Sequence, residues 1–142
     1  MTPEDLRLVR ETWAQVIPIA DQAAELFYGR LFEIAPEVRP LFATVDMAAQ
    51  RGKLLAALNL AVGSLGNLET LVPALEDLGR RHVRYGVEDG HYDAVGAALI
   101  WTLKQGLGDA FTAEARSAWE GVYGLVASTM KSAARQMQAH AA

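Results

Sequence analysis

The sequence predicts an all-α fold in a single domain, and three observations carry that prediction. Apolar residues recur every three or four positions in successive stretches, which is the α-helical period. The stretches are separated by helix punctuation: prolines, glycines, and hydroxyl or carboxylate caps. No run shows the apolar–polar alternation of a half-buried strand, and there is neither an internal repeat nor a linker. A length of 142 residues suits one core, large enough to enclose a small-molecule ligand. The 51% hydrophobic content excludes a disordered chain. The pattern gives about six or seven helices.

Thr2-Pro3-Glu4-Asp5 opens the first helix with a hydroxyl cap, a proline at the first position and two acids in the first turn. Leu6, Val9, Trp13 and Val16 follow at helical spacing, and Pro18 ends it. Asp21 is positioned to cap a second helix running through Ala24, Phe27, Tyr28, Leu31 and Phe32 to Ala35. Pro36 and Pro40 then forbid a long regular helix, although Leu41 and Phe42 need burial, so a short turn is expected there. Met47 to Gly63 forms a longer helix with Gln50, Leu54, Ala57, Leu58 and Ala61 on one face, flanked by Arg51 and Lys53; Gly63-Ser64-Leu65-Gly66 is the break after it.

The stretch Leu71 to Val87 is the most informative. Leu71, Leu75, Leu78, His82 and Tyr85 share one helical face, at offsets of four, seven, eleven and fourteen. Glu76, Asp77, Arg80, Arg81 and Arg84 cover the other. Pro73 suits the first turn and Gly86 a C-terminal stop, and the basic last turn complements the helix dipole. Glu88-Asp89-Gly90 leads into a helix carrying Tyr92, Val95, Leu99 and Leu103, closed by Gly106-Leu107-Gly108-Asp109. Thr112 caps the last helix, with Glu114 in its first turn and Ala115, Trp119, Val122, Tyr123, Val126, Thr129 and Met130 along it. The alanine-rich tail from Ala133 to Ala142 is expected to fray.

Composition removes several function classes. No apolar run reaches membrane-spanning length, and Met1-Thr2-Pro3-Glu4-Asp5 lacks the basic-then-apolar order of a signal peptide, so no membrane partner and a cytoplasmic location are expected. With no cysteine there is no disulfide, thiolate metal site or thioether attachment. A net charge of −4 gives no general attraction to nucleic acid. No phosphate-binding glycine loop or nucleophile elbow is present.

That leaves an inward-facing imidazole. Periodicity alone leaves two readings of His82, since such a residue is more commonly a hydrogen-bonded core group than a metal ligand. Gln50, the one polar residue in an apolar stripe, is either a site residue or a helix-end residue in water. Lys53 beside it is either a ligand for an anionic group or a solvated lysine.

Phe42 and His82 together resemble the globin family, from about Thr2 to Met130. Pro36…Pro40-Leu41-Phe42 is similar to the short third helix and the phenylalanine that stacks on haem, and His82 stands where globins place the proximal iron ligand. Tyr85-Gly86-Val87, Tyr92-x-x-Val95-Gly96 and Ala118-Trp119-x-x-x-Tyr123-Gly124 resemble the segments beyond it. The similarity is greatest to single-domain bacterial haemoglobins, particularly the Hell's Gate type, and extends to neuroglobin and the globin domain of flavohaemoglobins. The resemblance implies six to eight helices around a haem pocket, a non-covalent haem b, and His82 as its metal ligand. Leu75, Leu78, Val87 and Val95 would furnish the proximal wall, Phe42, Leu54 and Ala57 the edge and distal wall, and Lys53 would reach a haem propionate.

By the same resemblance Tyr28 and Gln50 face the bound gas. Dioxygen held there carries partial negative charge, so a phenol O–H and an amide N–H would retain it, each bond adding roughly 0.5–1.5 kcal/mol. High-affinity, reversible binding of dioxygen, nitric oxide and carbon monoxide is the expectation. His91 and His140 are not placed to reach the distal face, so two-histidine ligation is excluded. Nitric oxide dioxygenation would need an external ferric reductase, because the chain ends where a flavohaemoglobin's reductase domains begin. Flavohaemoglobins support the proximal histidine with a tyrosine and a glutamate; Tyr92 matches the tyrosine, whereas Ser132 takes the glutamate's place, which implies weak peroxidase activity at most. A haem-based gas or redox sensor working through a separate partner is the alternative, and a monomer or weak dimer is expected.

Overall fold

A computed structural model describes the backbone of residues 1–141 and the side chains of residues 1–139. Six α-helices make up the described chain: α1 (Pro3–Val16), α2 (Ala20–Ile34), α3 (Met47–Gly63), α4 (Leu68–Arg84), α5 (His91–Leu107) and α6 (Ala113–Ala141). Short 3₁₀ turns at Ile17–Ile19, Pro36–Phe42 and Gly108–Ala110 fill three of the joints. No strand occurs among the described residues. The all-helical architecture is the one the periodicity demands.

The first cap forms as expected. Thr2 Oγ1 accepts from the Asp5 amide at 3.1 Å while the Asp5 carboxylate accepts from the Thr2 amide at 3.0 Å, a reciprocal capping box. Thr112 likewise accepts from the Ala115 amide to start α6. Asp21 does not cap α2. The 3₁₀ turn at Ile17–Ile19 runs directly into that helix, so carbonyls of the turn satisfy its first amides, and Asp21 contributes only charge to the first turn. The helix bearing His82 also starts earlier than Pro73 suggests. Amides of Thr70 and Leu71 already bond to the Asn67 carbonyl, and Pro73 lies inside α4, where it costs the helix one i→i−4 hydrogen bond, the one to the Glu69 carbonyl.

Packing centres on α6, which lies along α4 and α1, with α2 against α5. Trp119, Leu71 and Val9 are the largest fully buried side chains. Two tryptophans fasten α1 to its neighbours. Trp119 Nε1 donates to Thr12 Oγ1 at 2.7 Å, and Trp13 Nε1 donates to Asn59 Oδ1 of α3 at 3.1 Å. Their rings meet at 6.2 Å and a tilt of 56°. With both indole N–H groups satisfied, two large apolar rings are buried without an orphaned donor. The alanine-rich tail continues α6 as far as Ala141, with Ala133 and Ala134 buried; the side chain of His140 lies outside the described residues.

Candidate functional site

The end of α4 is fixed by backbone chemistry. Gly86 adopts φ +88°, a left-handed conformation that glycine takes without strain. Its amide bonds to the Val83 carbonyl at 3.0 Å, and the Val87 amide reaches back to the His82 carbonyl at 3.0 Å. These are the two bonds of a Schellman motif, and His82 is the residue whose carbonyl closes its longer loop. The imidazole is held as firmly as the backbone. His82 Nδ1 bonds to the Leu78 carbonyl at 2.7 Å. A carbonyl can only accept, so Nδ1 carries the proton and Nε2 keeps its lone pair. Burial disfavours the imidazolium and lowers the His82 pKa; the Leu78 carbonyl opposes this and nearby Arg81 adds to it. His82 is therefore a neutral, half-buried imidazole with one nitrogen unused.

Tyr85 departs from the sequence expectation. It is 56% exposed rather than part of the inward stripe. As the capping residue it lies beyond the last helical turn, so the helical period no longer directs it; its ring sits edge-on to His82 with centroids 5.6 Å apart.

The opposite side is built from α2, α3 and the turn between them. Tyr28, 6% exposed, meets Phe27 at 5.0 Å, Phe42 at 5.6 Å and Phe32 at 6.1 Å between centroids. Phe42 also meets Phe32 at 5.5 Å, so the two prolines that shorten Pro36–Phe42 deliver that ring into an aromatic cluster. Gln50 Nε2 donates to Tyr28 Oη at 3.1 Å. Gln50 is thus half-buried and bonded across to α2 rather than solvated at a helix end. Burial raises the Tyr28 pKa, with the Gln50 hydrogen bond opposing it, so the phenol stays protonated.

Leu41 joins the two sides. Its Cδ2 stands 3.1 Å from where a Cβ on Gly86 would lie, while the next residue, Phe42, touches Tyr28. The turn between α2 and α3 therefore spans from the Tyr28–Gln50 pair to the end of the histidine helix. Phe42, Leu54, Ala57, Leu78, Val87 and Val95 are all apolar and only partly buried. Leu75 and Tyr92, 4% and 6% exposed, lie in the core. Lys53 is exposed and has no hydrogen-bonding or ion-pairing partner among the described residues. Among those residues no three His, Asp or Glu side chains converge on a common point.

Three features escaped the sequence reading. Gly79 of α4 lies so close to α6 that a Cβ there would stand 2.8 Å from Met130 Cα. Gly96 of α5 lies under the Tyr123 ring, a Cβ falling 2.7 Å from its Cε2, and Tyr123 Oη donates to the Tyr92 carbonyl at 2.5 Å. Ser132 is exposed, so it does not face the histidine; the buried residues on that turn are Ala133 and Ala134.

Comparison with known proteins gives a consistent result. Residues 25–130 match the Globin family. The chain is similar to a flavohemoprotein of Bacillus subtilis (32% identity over 117 residues, 78% of this chain), of which it spans only 29%. It is similar over nearly its whole length to a neuroglobin of Tetraodon nigroviridis (28% identity, 92% of this chain and 90% of the relative). A solved bacterial globin from Campylobacter jejuni superposes with a TM-score of 0.85 at 25% identity, over 96% of this chain and 99% of the other.

Proposed function

From the premise that the chain belongs to the globin family, we propose that it holds a non-covalent haem b and uses it to bind dioxygen reversibly and with high affinity. The observation that supports this most directly is the bond between His82 Nδ1 and the Leu78 carbonyl. It fixes the tautomer and leaves Nε2 as a neutral nitrogen donor, which is what binding a haem iron would require. The donor set fits a porphyrin better than a bare ion. No cluster of three ligating side chains occurs among the described residues, whereas a porphyrin brings four nitrogens of its own and needs one more. A chain without cysteine has no thiol for thioether attachment, which supports a non-covalent haem of the b type.

Once held, haem would supply an iron site able to bind a diatomic gas. Phe42, Leu54, Ala57, Leu78, Val87 and Val95 keep water from the ring, backed by Leu75 and Tyr92, and exposed Lys53 is free to pair with a propionate. The distal hydrogen bond has a direction. Because Gln50 donates to Tyr28 Oη, the phenol keeps its own proton for another acceptor. The two donors expected from sequence thus become one direct donor, Tyr28, backed by Gln50. A hydrogen bond to a partly charged acceptor is worth about 1.5–3 kcal/mol, which corresponds to roughly ten- to hundredfold slower release of dioxygen.

The test is purification with haem. A Soret band and a stable oxygenated spectrum are expected, and Tyr28→Phe should release dioxygen roughly ten- to hundredfold faster by rapid-mixing spectroscopy. A protein that takes up no haem, or an unchanged off-rate in Tyr28→Phe, would sink the respective half of the reading.

The proposal includes slow dioxygenation of nitric oxide to nitrate when an external reductase returns the iron to its ferrous state. The similarity to a flavohemoprotein supports this for the portion of that protein which the chain spans. Peroxidase activity should be weak, because the carbonyl paired with His82 is uncharged and enriches the ring electronically less than a carboxylate would.

A further inference from the structure

Charge is spread unevenly along this chain. Residues 36–53 and 77–87 together carry six lysines and arginines against three carboxylates, while the remainder carries seven against fourteen. A chain of net charge −4 therefore holds a local excess of +3 beside a remainder of −7. The two segments are neighbours in space. Leu41 Cδ2 stands 3.1 Å from where a Cβ on Gly86 would lie, and Gln50 bonds to Tyr28, whose ring meets Phe42. They are also the segments that carry His82 and Gln50.

Little of that excess is neutralised internally. Asp77 pairs with Arg81 at 3.1 Å, and the Asp46 carboxylate accepts from the Ala48 amide at 3.0 Å as the cap of α3. Arg39, Arg51, Lys53, Arg80 and Arg84 have no carboxylate within ion-pairing distance among the described residues. Arg39 instead holds its guanidinium 5.2 Å over the Phe32 ring. Of the five arginines elsewhere, by contrast, four are ion-paired. A haem brings two propionates, so at least three of these five cations remain free. Exposed Val45 and Tyr85 lie in the same two segments. Arginines mixed with an exposed tyrosine and an aliphatic side chain match the composition of a protein interface rather than of a small-anion site.

Resting on the haem reading above, we propose that these two segments form the docking surface for an acidic electron-transfer protein, the external reductant that returns the iron to its ferrous state. The donor loses one electron and the ferric iron gains it, with no bond made or broken in this chain. The excess of +3 draws an acidic face toward the segments that carry His82 and Gln50, while the remaining −7 repels it elsewhere. Docking is thereby oriented as well as accelerated.

The experiment follows reduction of the ferric, haem-loaded protein by a reduced flavodoxin, a small acidic flavoprotein, in a stopped-flow spectrometer. It compares wild type with Arg39→Gln/Arg51→Gln/Arg84→Gln and with a control, Arg10→Gln/Lys104→Gln/Arg116→Gln, that loses the same charge elsewhere. Raising the ionic strength from about 0.02 to about 0.5 M should slow wild type roughly tenfold or more. At low salt the first variant should be about tenfold slower than wild type and the control within about twofold, all three converging at high salt. The Soret band and the dioxygen off-rate should be the same in all three. A wild-type rate indifferent to salt, or equal slowing in the control, would overturn the proposal. So would tighter binding of wild type to phosphatidylglycerol vesicles or single-stranded DNA than to flavodoxin at equal salt, since either would assign the surface to a different partner. Failure of the wild type to show a Soret band would instead remove the haem reading itself.

Discussion

The region around His82 and the region around Tyr28 are held by different means. The histidine side is backbone against backbone: α4 meets α6 at Gly79 and Met130, and a Schellman motif closes on the His82 carbonyl. The tyrosine side is side chain against side chain: four aromatic rings and one glutamine amide, with α3 burying only Ala61 and Val62 near its far end. Backbone contacts fix direction and tolerate little, because neither partner has a rotamer to change. Side-chain contacts can be exchanged one at a time. The histidine side should therefore answer to stability and cofactor retention, and the tyrosine side to the kinetics of the bound gas.

The largest expected effect breaks the comparison cleanly. His82→Ala removes the side-chain ligand proposed for the haem, and if that bond is worth even about 3 kcal/mol, haem should transfer to a scavenging protein roughly a hundredfold faster. Tyr28→Phe should leave that transfer rate unchanged. Equal haem loss in the two variants would show that the two sides are not divided in this way.

Next come two glycines that look alike in sequence. Gly79→Ala forces a Cβ into the Met130 backbone, and overpacking of this kind costs about 1–3 kcal/mol. Gly121→Ala, inside α6 with nothing near its Cβ, should instead stabilise by up to about 1 kcal/mol from helix propensity. Urea titrations of the apoprotein compare them; the same sign at both positions would refute the close α4–α6 contact.

That pair also marks what could be read from the chain. The helices, the Gly86 stop and the apolar stripes follow from period and punctuation, which are local properties. Tyr28, Phe42, Gln50 and His82 could be assigned together only through the family resemblance, since nothing in a period says which faces meet across a cleft. Gly79 gave no signal, because a glycine in an amphipathic pattern looks like a weak helix former until another backbone is brought to it. Tyr85 was misplaced since the cap ends the period before the residue does. Ser132 lies exposed for a related reason: alignment counts residues, while burial depends on helical phase, which on that turn brings Ala133 and Ala134 inward.

On the tyrosine side the expected effects are smaller and kinetic. If Gln50 acts through Tyr28, Gln50→Leu should speed dioxygen release less than Tyr28→Phe does. Losing one neutral hydrogen bond of about 0.5–1.5 kcal/mol gives roughly two- to twelvefold. The double variant should match Tyr28→Phe alone, because a buttress has no effect once the hydroxyl is gone. Multiplicative effects would instead make the glutamine an independent donor to the gas.

The smallest effect is a predicted absence of change with pH. Tyr28 donates only while its phenol is protonated, and burial raises its pKa above the ordinary tyrosine value of about 10. An acid whose folded-state pKa is raised keeps its proton further into the alkaline range, so the donor persists above that value. The dioxygen off-rate should therefore stay flat between about pH 7 and 10. The same raised pKa makes a stability contribution that is fully present below the unfolded-state value and is lost as pH rises through the folded-state one. Any alkaline rise in off-rate should then accompany the onset of unfolding rather than precede it. Stopped-flow release rates measured alongside helical circular dichroism decide the matter. An off-rate that climbs below pH 9 with helicity intact would mean that the phenol is less buried than its aromatic neighbours make it.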